Sequence, residues 1–506
     1  MSNYDSSNIV ALASANGSGA ISIIRLSGDS VISIVDSFFV PFGAKRDSIA
    51  NDKKLVNTAS KKMVFGSFYN GVSLLDECMV AVFRAPASYT GEDGVEIYCH
   101  GSSYIVSEII KALIYKRVSL AKPGEFSKRA FLNGKMDLAQ AEAVADLIAS
   151  ETESAHAIAM QQMRGEFSNE LRDLREQLLN LVSLMELELD FSEEDVEFAD
   201  RNELSLLVDK ALVKLSTLIE SFSLGNVIKN GVPVAIVGAT NTGKSTLLNS
   251  LLGEEKAIVS NIHGTTRDVI EDIINLGGIS FRFIDTAGIR ETKETIEIIG
   301  IERTYQKLKQ ASVVIMVLDS TRSEFFNESL INLSKRLNKD KQKLVIVLNK
   351  IDNIVPSEQL SSISCREFVE LERKDYLSGR KSNFNTQLFS IESICKEVGL
   401  SPISIIPIVA KDKLWIECIK ELLINSQKNL SVSPNSTLVS NIRHYEALLE
   451  AQRALDRTDD GIRNKVPSDL VAQDIREAIF HLGEIVGEIS TEEVLGNIFG
   501  RFCIGK

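Results

Sequence analysis

The stretch Pro233-Val-Ala-Ile-Val237-Gly238-Ala-Thr-Asn-Thr-Gly-Lys244-Ser245 decides the fold of the middle of the chain, because it joins an apolar run to a glycine-rich loop. The run 233–237 is bounded by glycine and is typical of a buried parallel strand, whereas 246–252 has the apolar spacing of a helix. Residues 238–245 fit the pattern G-x-x-x-x-G-K-[ST], whose backbone amides surround phosphate groups at a helix N-terminus. The sequence therefore predicts a nucleotide-binding α/β domain around this loop.

The loop assigns definite roles to its side chains. Lys244 is expected to reach the β- and γ-phosphates, and the hydroxyl of Ser245 is expected to bind Mg²⁺. The neighbouring residues Asn241, Thr242, Gly243 and Thr246 are expected to line the phosphates. A chance glycine-rich turn between a strand and a helix is the alternative for this motif taken alone.

Two later stretches have the order and position of nucleotide-sensing switch segments. Asp285-Thr286-Ala287-Gly288 directly follows the predicted strand 281–284, so its carboxylate is expected near Mg²⁺ and the N–H of Gly288 near the γ-phosphate. Upstream, Gly264-Thr265-Thr266 offers Thr266, which would complete the Mg²⁺ shell only while a γ-phosphate is present.

Two further motifs predict which base is bound. Asn349-Lys350-Ile-Asp352 follows the apolar run 344–348, and an Asp there accepts two hydrogen bonds that guanine offers and adenine does not. In Ile408-Val409-Ala410-Lys411, valine stands where many GTPases have serine, so we expect only a backbone contact at Ala410. Four motifs in register after a phosphate loop predict a GTPase.

The group that orients the attacking water is less clear from the motifs. Many GTPases have glutamine directly after Asp-x-x-Gly, but here Ile289 follows Gly288. The candidates are Glu291, Glu294 and Glu297, or a group supplied by another molecule. The alternative is that these acidic side chains only keep a loop in solvent.

Composition narrows the class of protein. The chain has 506 residues, 44% of them hydrophobic and 25% charged, which is ordinary for a soluble globular protein of several domains. Its N-terminal segment has no basic region followed by an apolar core, so we expect a cytoplasmic protein with no membrane contact. The net charge of −13 means that any nucleic acid must meet a local basic patch or a partner. The six cysteines have no C-x-x-C spacing and are expected to be buried apolar side chains.

The hydrophobic pattern predicts a multidomain α/β chain. Residues 1–123 contain alternating runs that predict an α+β domain with a mainly antiparallel sheet, and 226–430 predict an inserted Ras-like parallel α/β G domain. Residues 124–225 and 431–506 carry helical stripes and predict one discontinuous all-helical domain. One such stripe is expected at Leu138, Ala141, Ala145 and Ile148. The long segment 353–404 is expected to be a surface insertion, because connections within such a domain are normally short.

Several stretches along the chain also carry distinctive motifs. They are Ile23-Ile-Arg-Leu-Ser-Gly28, Tyr89-Thr-Gly-Glu-Asp93 with Glu96 and His100-Gly101, Pro123-Gly-Glu-Phe-Ser127 with Arg129-Ala-Phe-Leu-Asn133, Lys135-Met-Asp-Leu-Ala-Gln-Ala-Glu142, Gly264-Thr-Thr-Arg-Asp268 and Phe502-Cys-Ile-Gly-Lys506. Together with the GTPase motifs, these stretches resemble the MnmE (TrmE) family of tRNA-modification GTPases, and the resemblance covers nearly the whole chain apart from the insertion. The stretch that begins at Pro123 and the one that begins at Phe502 are specific to that family.

The resemblance implies a K⁺-activated GTPase whose G domains dimerise across the nucleotide. Asn241 would bind K⁺ together with Ser260, Ile262 and Thr265, in a switch loop whose neighbours Asn261 and His263 also face GTP. The cation would neutralise charge in the transition state, as an arginine finger does elsewhere. Among the three glutamates, the family's water-orienting acid matches Glu297.

The resemblance also implies that the N-terminal domain binds 5-formyl-tetrahydrofolate or a related folate. The matching residues are Arg25, Glu96, Lys135 and Lys506, and Cys503 is the family's cysteine suggested to act near the folate. Without the resemblance, each of these charges would be taken as an exposed surface residue, and Cys503 as a packed terminal cysteine. The chain departs from the family at Ser18, where an arginine is frequent, and at Val409.

The resemblance further implies a homodimer formed through the N-terminal domain and a complex with the flavin- and NADH-using protein MnmG, as a heterotetramer or a larger assembly. The pair would install an aminomethyl-type group on C5 of the wobble uridine of certain tRNAs. Two alternatives remain open. One is a regulatory GTPase of ribosome assembly, and the other is a folate-dependent one-carbon transferase whose G domain only senses GTP.

Overall fold

The structure is a computed structural model that describes residues 7–43, 55–71, 73–190, 201–253, 272–284, 308–427, 437–500, 502 and 504–505. The chain divides into two compact units. The first unit contains 1–149, 159–217 and 446–506, and the second contains 150–158 and 218–445. The finer division into four segments at 123, 225 and 430 stays a prediction.

The described elements are as follows in chain order. The strands are β1 Ile9–Leu12, β2 Ile21–Ser27, β3 Phe39–Pro41, β4 Lys62–Asn70, β5 Ser73–Phe83, β6 Gly94–His100, β7 Ser119–Leu120, β8 Val232–Val237, β9 Asp272–Leu276, β10 Ile279–Ile284, β11 Val313–Asp319, β12 Lys343–Asn349 and β13 Pro402–Ile408. The helices are α1 Val31–Asp36, α2 Ser103–Tyr115, α3 Glu125–Leu132, α4 Leu138–Ala149, α5 Glu153–Met163, α6 Glu166–Asp190, α7 Arg201–Asn230, α8 Lys244–Leu252, α9 Phe326–Ser334, α10 Ser357–Ser361, α11 Cys365–Leu377, α12 Asn383–Glu397, α13 Ile416–Ser426, α14 Ile442–Arg463, α15 Ser468–Val486 and α16 Glu492–Phe499.

The first unit contains a seven-stranded sheet with the order β3-β4-β5-β6-β2-β1-β7. Its neighbouring strands run antiparallel apart from β1 and β7, which confirms the predicted mainly antiparallel sheet. Alternation along the strands sends one set of side chains into a core, where Val80, Ile97 and Ile24 are fully buried. Helix α2 covers that face of the sheet with Ile109 and Leu113.

The long helices of the first unit bury the stripes that their spacing predicts. The predicted stripe of α6 is buried from Leu171 to Met185, and that of α15 from Val471 to Ile485. One position of the predicted stripes is not buried within this chain. Ile148 is 49% exposed, because the buried face of α4 contains Leu138 and Ala141 near its start and ends before the last turn.

Helix α7 is apolar enough to raise the question of whether it could span a membrane. Within the described residues, the window Leu204–Asn230 has the length and composition of a membrane span, with a mean hydropathy of 1.3. However, Leu204, Val208 and Leu215 follow one another at helical spacing and are buried within the protein. The same helix carries Lys214, whose Nζ lies 3.0 Å from Oε2 of Glu170. These contacts show that part of the helix packs against the protein core.

The second unit contains a six-stranded sheet with the order β13-β12-β11-β8-β10-β9. Five of these strands match the predicted apolar runs and lie parallel, which confirms the predicted parallel α/β domain. The sequence analysis missed β9, which pairs antiparallel with β10. The signal was the two-residue turn Gly277-Gly278, where φ is +58° and +80°, since a tight hairpin needs positive φ at both positions.

The expectation of a surface insertion at 353–404 is wrong for most of this segment. Helices α11 and α12 form part of the core of the second unit, where Phe368, Phe384 and Leu388 are buried together with strands β11 and β12. Residues 382–386, which are rich in serine and asparagine, contain the start of α12. The side chain of Ser382 accepts from the N–H of Asn385, and the side chain of Asn385 accepts from the N–H of Ser382.

The described cysteines are mostly buried, as predicted. Cys78, Cys99, Cys365 and Cys395 lie in apolar cores, whereas Cys418 is half-buried. Burial raises the pKa of Cys78 to about 12 and that of Cys99 to about 11, and the nearby carboxylate of Asp76 adds to both shifts. These thiols therefore stay protonated and unreactive near neutral pH.

A substitution at Phe384 measures how far α12 belongs to the core. Phe384→Ala should lower the free energy of unfolding by about 3 kcal/mol, because it removes a fully buried ring and leaves a cavity. Leu377→Ala is the matched control, since Leu377 is 78% exposed at the end of α11. Chemical denaturation monitored by circular dichroism gives both values. Equal, small effects of the two substitutions would show that α12 adds nothing to the core.

Candidate functional site

The phosphate loop connects the carboxyl end of β8 to the start of α8. Gly243 caps the helix with φ +95°, and a Cβ atom there would lie 2.2 Å from Nδ2 of Asn349. Gly238 is equally confined, because a Cβ atom would lie 2.4 Å from the carbonyl oxygen of Val317. Glycine is thus required at both ends of the loop. The bare backbone leaves the N–H groups at the start of α8 open to an anion.

Lys244 lies where its ammonium can meet a phosphate. Its Nζ donates to the carbonyl oxygens of Gly238 at 3.0 Å and Ala239 at 2.7 Å. Burial lowers the pKa of Lys244, since desolvation disfavours the charged form. Thr242 is buried beside it and donates from Oγ1 to the carbonyl of Ala239 at 3.0 Å. The side chains of Lys244 and Thr242 therefore hydrogen-bond to the backbone of their own loop.

Asn349 joins the phosphate loop to the loop after β13. Its side chain is buried, with the residue only 2% exposed. Nδ2 donates to the carbonyl of Thr242 at 2.9 Å, and Oδ1 accepts from the N–H of Ala410 at 3.1 Å. The predicted GTP contact at Asn349 is thus accompanied by a structural role. This one amide fixes the distance between the loop expected to hold phosphate and the loop expected to hold the base.

The residue after it, Lys350, makes a second connection. Its backbone has φ +64°, and its Nζ donates to the carbonyl of Asn241 at 2.8 Å and to Oδ2 of Asp319 at 2.6 Å. Burial alone would raise the pKa of Asp319, but hydrogen bonds from Lys350 and Thr321 hold it below the usual value. The sequence analysis missed Asp319, although a charged residue that ends a buried parallel strand was a usable signal.

The expected base-binding residues lie at the same edge of the sheet. Asp352 is exposed in the 3₁₀ turn Ile351–Asn353, so its carboxylate is available to a ligand. Ala410 is 1% exposed, and its carbonyl accepts from Oγ of Ser250 in α8 at 2.7 Å. Val409, which replaces a serine, is buried in the apolar core. The loop therefore keeps its backbone position without the hydroxyl.

Several predicted residues lie outside the described part of the chain. Ser245 and Thr246 are in the first turn of α8, and Asn241 is exposed in the loop, so these can be placed. The residues that fall outside the described ranges are Ser260, Asn261, Ile262, His263, Gly264, Thr265, Thr266, Asp285, Thr286, Ala287, Gly288, Glu291, Glu294, Glu297, Cys503 and Lys506.

The first unit brings two of the predicted folate residues together. Arg25 on β2 and Glu96 on β6 are cross-strand partners, and Nε of Arg25 donates to Oε1 of Glu96 at 2.9 Å. Tyr98 donates from its hydroxyl to Oε2 of Glu96 at 2.6 Å. The guanidinium of Arg25 also lies 5.3 Å from the ring centre of Tyr89. Arg25, Glu96, Tyr98 and Tyr89 form a polar and aromatic cluster, here called the Glu96 cluster.

The Glu96 cluster is partly buried, and its surroundings raise the pKa of Tyr98. The side chains of Arg25 and Glu96 are only 23% and 16% exposed. Burial, together with the hydrogen bond to Glu96, raises the pKa of Tyr98 to about 12. A partly buried carboxylate beside aromatic rings suits a flat, hydrogen-bonding heterocycle such as a pterin. The chemistry of this cluster therefore fits the folate that the resemblance implies.

Lys135 is exposed, and within the described residues its side chain hydrogen-bonds to the loop before β6 and not to Arg25 or Glu96. Its Nζ donates to the carbonyl of Pro86 at 3.0 Å, and a Cβ atom on Gly91 would lie 3.4 Å from its Cγ. The C-terminal tail reaches the same sheet, since a Cβ atom on Gly505 would lie 2.3 Å from the carbonyl of Leu12 on β1. Residue 506 follows directly, although it lies outside the described part of the chain.

Other residues of the N-terminal motifs have structural partners. The guanidinium of Arg129 lies 3.0 Å from Glu92 and 2.9 Å from Glu125, and its side chain is 7% exposed. Ser27 donates to Glu92 at 2.7 Å. These contacts tie the loop 89–93 to α3 and to β2. The sequence pattern alone could not separate this network, centred on the buried Arg129, from the partly buried Glu96 cluster.

Comparison with known proteins gives a consistent result over the whole chain. Two family profiles match, one described as GTP-binding protein TrmE N-terminus at residues 8–135 and one as MnmE helical domain at 138–503. The tRNA modification GTPase MnmE of Bacteroides thetaiotaomicron is 49% identical over 500 residues, which cover 98% of this chain and 99% of that protein. The chain belongs to the MnmE family.

A second full-length relative agrees with this assignment. The tRNA modification GTPase MnmE of Flavobacterium johnsoniae is 48% identical over 512 residues, with full coverage of both chains. Among solved structures, the FeoB G-domain from Methanococcus jannaschii aligns with 38% of this chain and 96% of its own length, at 22% identity and a TM-score of 0.23. A likeness that low adds nothing to membership of the MnmE family, which rests on the full-length relatives.

Asn349 offers a direct test of the site in this MnmE-family chain. Asn349→Ala removes both hydrogen bonds that join the two loops, so the affinity for a fluorescent GTP analogue should fall at least about tenfold. Asn349→Asp keeps an acceptor for Ala410 but places a carboxylate beside the carbonyl of Thr242, and it should be no better than alanine. Titration of fluorescence gives the dissociation constants. Wild-type affinity in both variants would contradict the assigned role.

Proposed function

We propose that this MnmE-family protein is a K⁺-activated, Mg²⁺-dependent GTPase that acts with MnmG to modify C5 of the wobble uridine in certain tRNAs. The observation that carries the proposal is the connection through Asn349, which joins a phosphate loop to a base-binding loop. Membership of a family of tRNA-modification GTPases supplies the substrate class. The Glu96 cluster in the other unit supports a second, folate-dependent activity in the same chain.

GTP would be bound by groups that converge at the carboxyl edge of the parallel sheet. The N–H groups at the start of α8 and the ammonium of Lys244 would hold the phosphates, and Ser245 would bind Mg²⁺. The exposed carboxylate of Asp352 would accept from guanine, with the Ala410 loop beside it. The switch residues Thr266, Asp285 and Gly288 would respond to the γ-phosphate.

K⁺ would be held near the phosphates by Asn241 with Ser260, Ile262 and Thr265. When bound, the ion would supply positive charge where negative charge develops in the transition state. Asn241 suits this role because its side chain is exposed while its carbonyl is held by Lys350. Its backbone has φ +61°, a left-handed conformation that an Asn tolerates better than most residues. Glu297 would orient the attacking water.

The folate would lie at the Glu96 cluster. Glu96 would accept hydrogen bonds from the pterin edge, with Arg25 holding the carboxylate in place. Lys135 and Lys506 would meet the glutamyl tail, since both are cations and the tail is anionic. Cys503 would act near the folate, as the resemblance implies; Gly505 approaches Leu12 on β1, the strand that pairs with the Arg25 strand β2.

A homodimer through the N-terminal sheet is supported by its second face. That face exposes large apolar side chains, which is unusual for a surface that meets only water. Phe65 and Met79 are register partners on β4 and β5, and Phe42 lies beside Phe65 with ring centres 5.8 Å apart. The exposed residues of this face and its rim are Ile21 66%, Phe42 81%, Met63 49%, Phe65 46%, Leu74 52% and Met79 41%.

GTP hydrolysis would control the tRNA chemistry by a change in shape, because loss of the γ-phosphate releases the switch residues. The carbon chemistry itself would belong to the folate and to MnmG. The protein would work in the cytoplasm, as a homodimer joined with MnmG in a heterotetramer or a larger complex.

The cation dependence is testable with purified protein. Steady-state GTP hydrolysis in KCl should exceed that in NaCl of equal ionic strength by at least about tenfold, because a coordinated cation stabilises transition-state charge. Asn241→Ala should remove this difference while GTP still binds. Equal rates of the wild type in both salts would contradict the K⁺ mechanism and favour a GTPase activated by another molecule.

The tRNA and folate roles are testable in cells. Cells that lack this protein should lose the modified wobble uridine, and the wild-type gene should restore it. Glu96→Gln should bind folate at least about tenfold more weakly and fail to restore the nucleoside, because the neutral amide loses the charge paired with Arg25. Glu77→Gln, exposed on β5 of the same sheet, is the matched control and should restore it. Mass spectrometry of digested tRNA measures the outcome. A normal nucleoside content in the deletion strain would refute the proposed function.

A further inference from the structure

Asp319 is a buried carboxylate that belongs to none of the sequence motifs. It ends strand β11 and is 3% exposed. Oδ2 accepts from Nζ of Lys350 at 2.6 Å, and Oδ1 accepts from the N–H of Thr321 at 3.0 Å and from its hydroxyl at 2.7 Å. With both oxygens engaged, the carboxylate stays ionised at neutral pH, as the lowered pKa of Asp319 also indicates. Its charge therefore acts on Lys350 under working conditions.

Lys350 passes this restraint to the phosphate loop. The same ammonium that pairs with Asp319 donates to the carbonyl of Asn241 at 2.8 Å. Asn241 has φ +61°, a conformation that costs a non-glycine residue about 1 kcal/mol or more and needs support from its surroundings. Lys350 is half-buried rather than enclosed, so without Asp319 its long side chain could turn to solvent. The position of the ammonium thus depends on the carboxylate.

Helix α12 also contacts the chain directly after the end of β11. Gln387 on α12 donates from Nε2 to the carbonyl of Ser320 at 2.8 Å. Ser320 in turn donates from Oγ to the carbonyl of Lys350 at 2.8 Å and from its N–H to the carbonyl of Asn349 at 3.0 Å. Helix α12 is itself fixed in the core by Phe384. The segment 353–404 is therefore connected to the nucleotide loop by consecutive hydrogen bonds.

We propose that Asp319 and Gln387 are positioning residues of the GTP site, which act through Lys350 to preorganise the phosphate loop at Asn241. Asp319 fixes the position of the Lys350 ammonium. Gln387 fixes the turn after β11, where Ser320 hydrogen-bonds to the backbone of Lys350. A loop already fixed in its bound conformation loses less freedom when nucleotide binds, so the connection increases affinity. This inference depends on the proposed function only in that GTP occupies the loop.

The test is a double-mutant cycle on the full-length protein, with a fluorescent GTP analogue as the probe. Asp319→Asn should raise the dissociation constant about tenfold, which corresponds to about 1.4 kcal/mol. In a Lys350→Gln background the same change should raise it less than about twofold, because the group through which Asp319 acts has been removed. Gln387→Leu should raise the constant about threefold in the wild-type background. Glu417→Gln is the matched control, since the Glu417 side chain is 75% exposed on the surface of α13, where its carboxylate pairs with Lys420 at 2.7 Å; its constant should be unchanged.

Thermal unfolding separates positioning from stability. All titrations are made well below the lowest unfolding midpoint, where a purely structural role would leave the affinity of the folded molecules unchanged. An unchanged dissociation constant in Asp319→Asn, or equal effects of that change in both backgrounds, overturns the inference. If Lys350→Gln does not fold, the comparison of Asp319→Asn with Glu417→Gln decides alone. Failure of the wild type to bind the probe would instead refute the proposed GTPase function.

Discussion

The nucleotide site depends on one buried amide, the side chain of Asn349. Because β11 and β12 are parallel and in register from Val313↔Lys343 to Asp319↔Asn349, both strands end at the same level. Asn349 can therefore reach the phosphate loop on one side and Ala410 on the other. A carboxylate at this position could accept from Ala410 but could not donate to Thr242. The amide is the smallest side chain with both a donor and an acceptor at this reach.

The same register explains why two charges are buried beside the loop. Asp319 is the strand partner of Asn349, and Lys350 follows Asn349, so the ion pair forms across adjacent strand ends. Burying a lone carboxylate here would cost several kcal/mol, but three donors surround Asp319. Removing only one partner of such a pair is therefore more damaging than its net contribution suggests. The Asp319 carboxylate is thus enclosed by donors, whereas the carboxylate of Asp352, in the turn that follows β12, is exposed.

Much of this architecture could be predicted from the sequence, for physical reasons that differ between elements. The phosphate loop and the five parallel strands were predictable because short apolar runs and glycine spacing are local signals. Helix α12 was not, because its polar start resembles a loop until Ser382 and Asn385 are seen to cap each other. The exposure of Ile148 was not predictable because helical spacing gives a face but not the point where the neighbouring helices end. Asp319 was missed because its ion pair with Lys350 forms across two strands, and its position at the end of a buried strand was the local signal that could have marked it.

The N-terminal site shows the same limit in a stronger form. Arg25 and Glu96 are far apart in the chain and become neighbours only through the antiparallel register of β2 and β6. Period-two alternation puts both on the face opposite the core, which also exposes Phe65 and Met79. The partly buried Arg25–Glu96 pair on this face loses part of its hydration, and hydrogen bonds from Arg25 and Tyr98 to the two Glu96 oxygens offset that loss. A second sheet packed over Phe65 and Met79 would remove that apolar surface from water. It would also lower the exposure of the Glu96 cluster to solvent. The proposed dimer and the proposed folate site are thus linked by position, because a dimer formed through this face would cover the apolar side chains and the Glu96 cluster together.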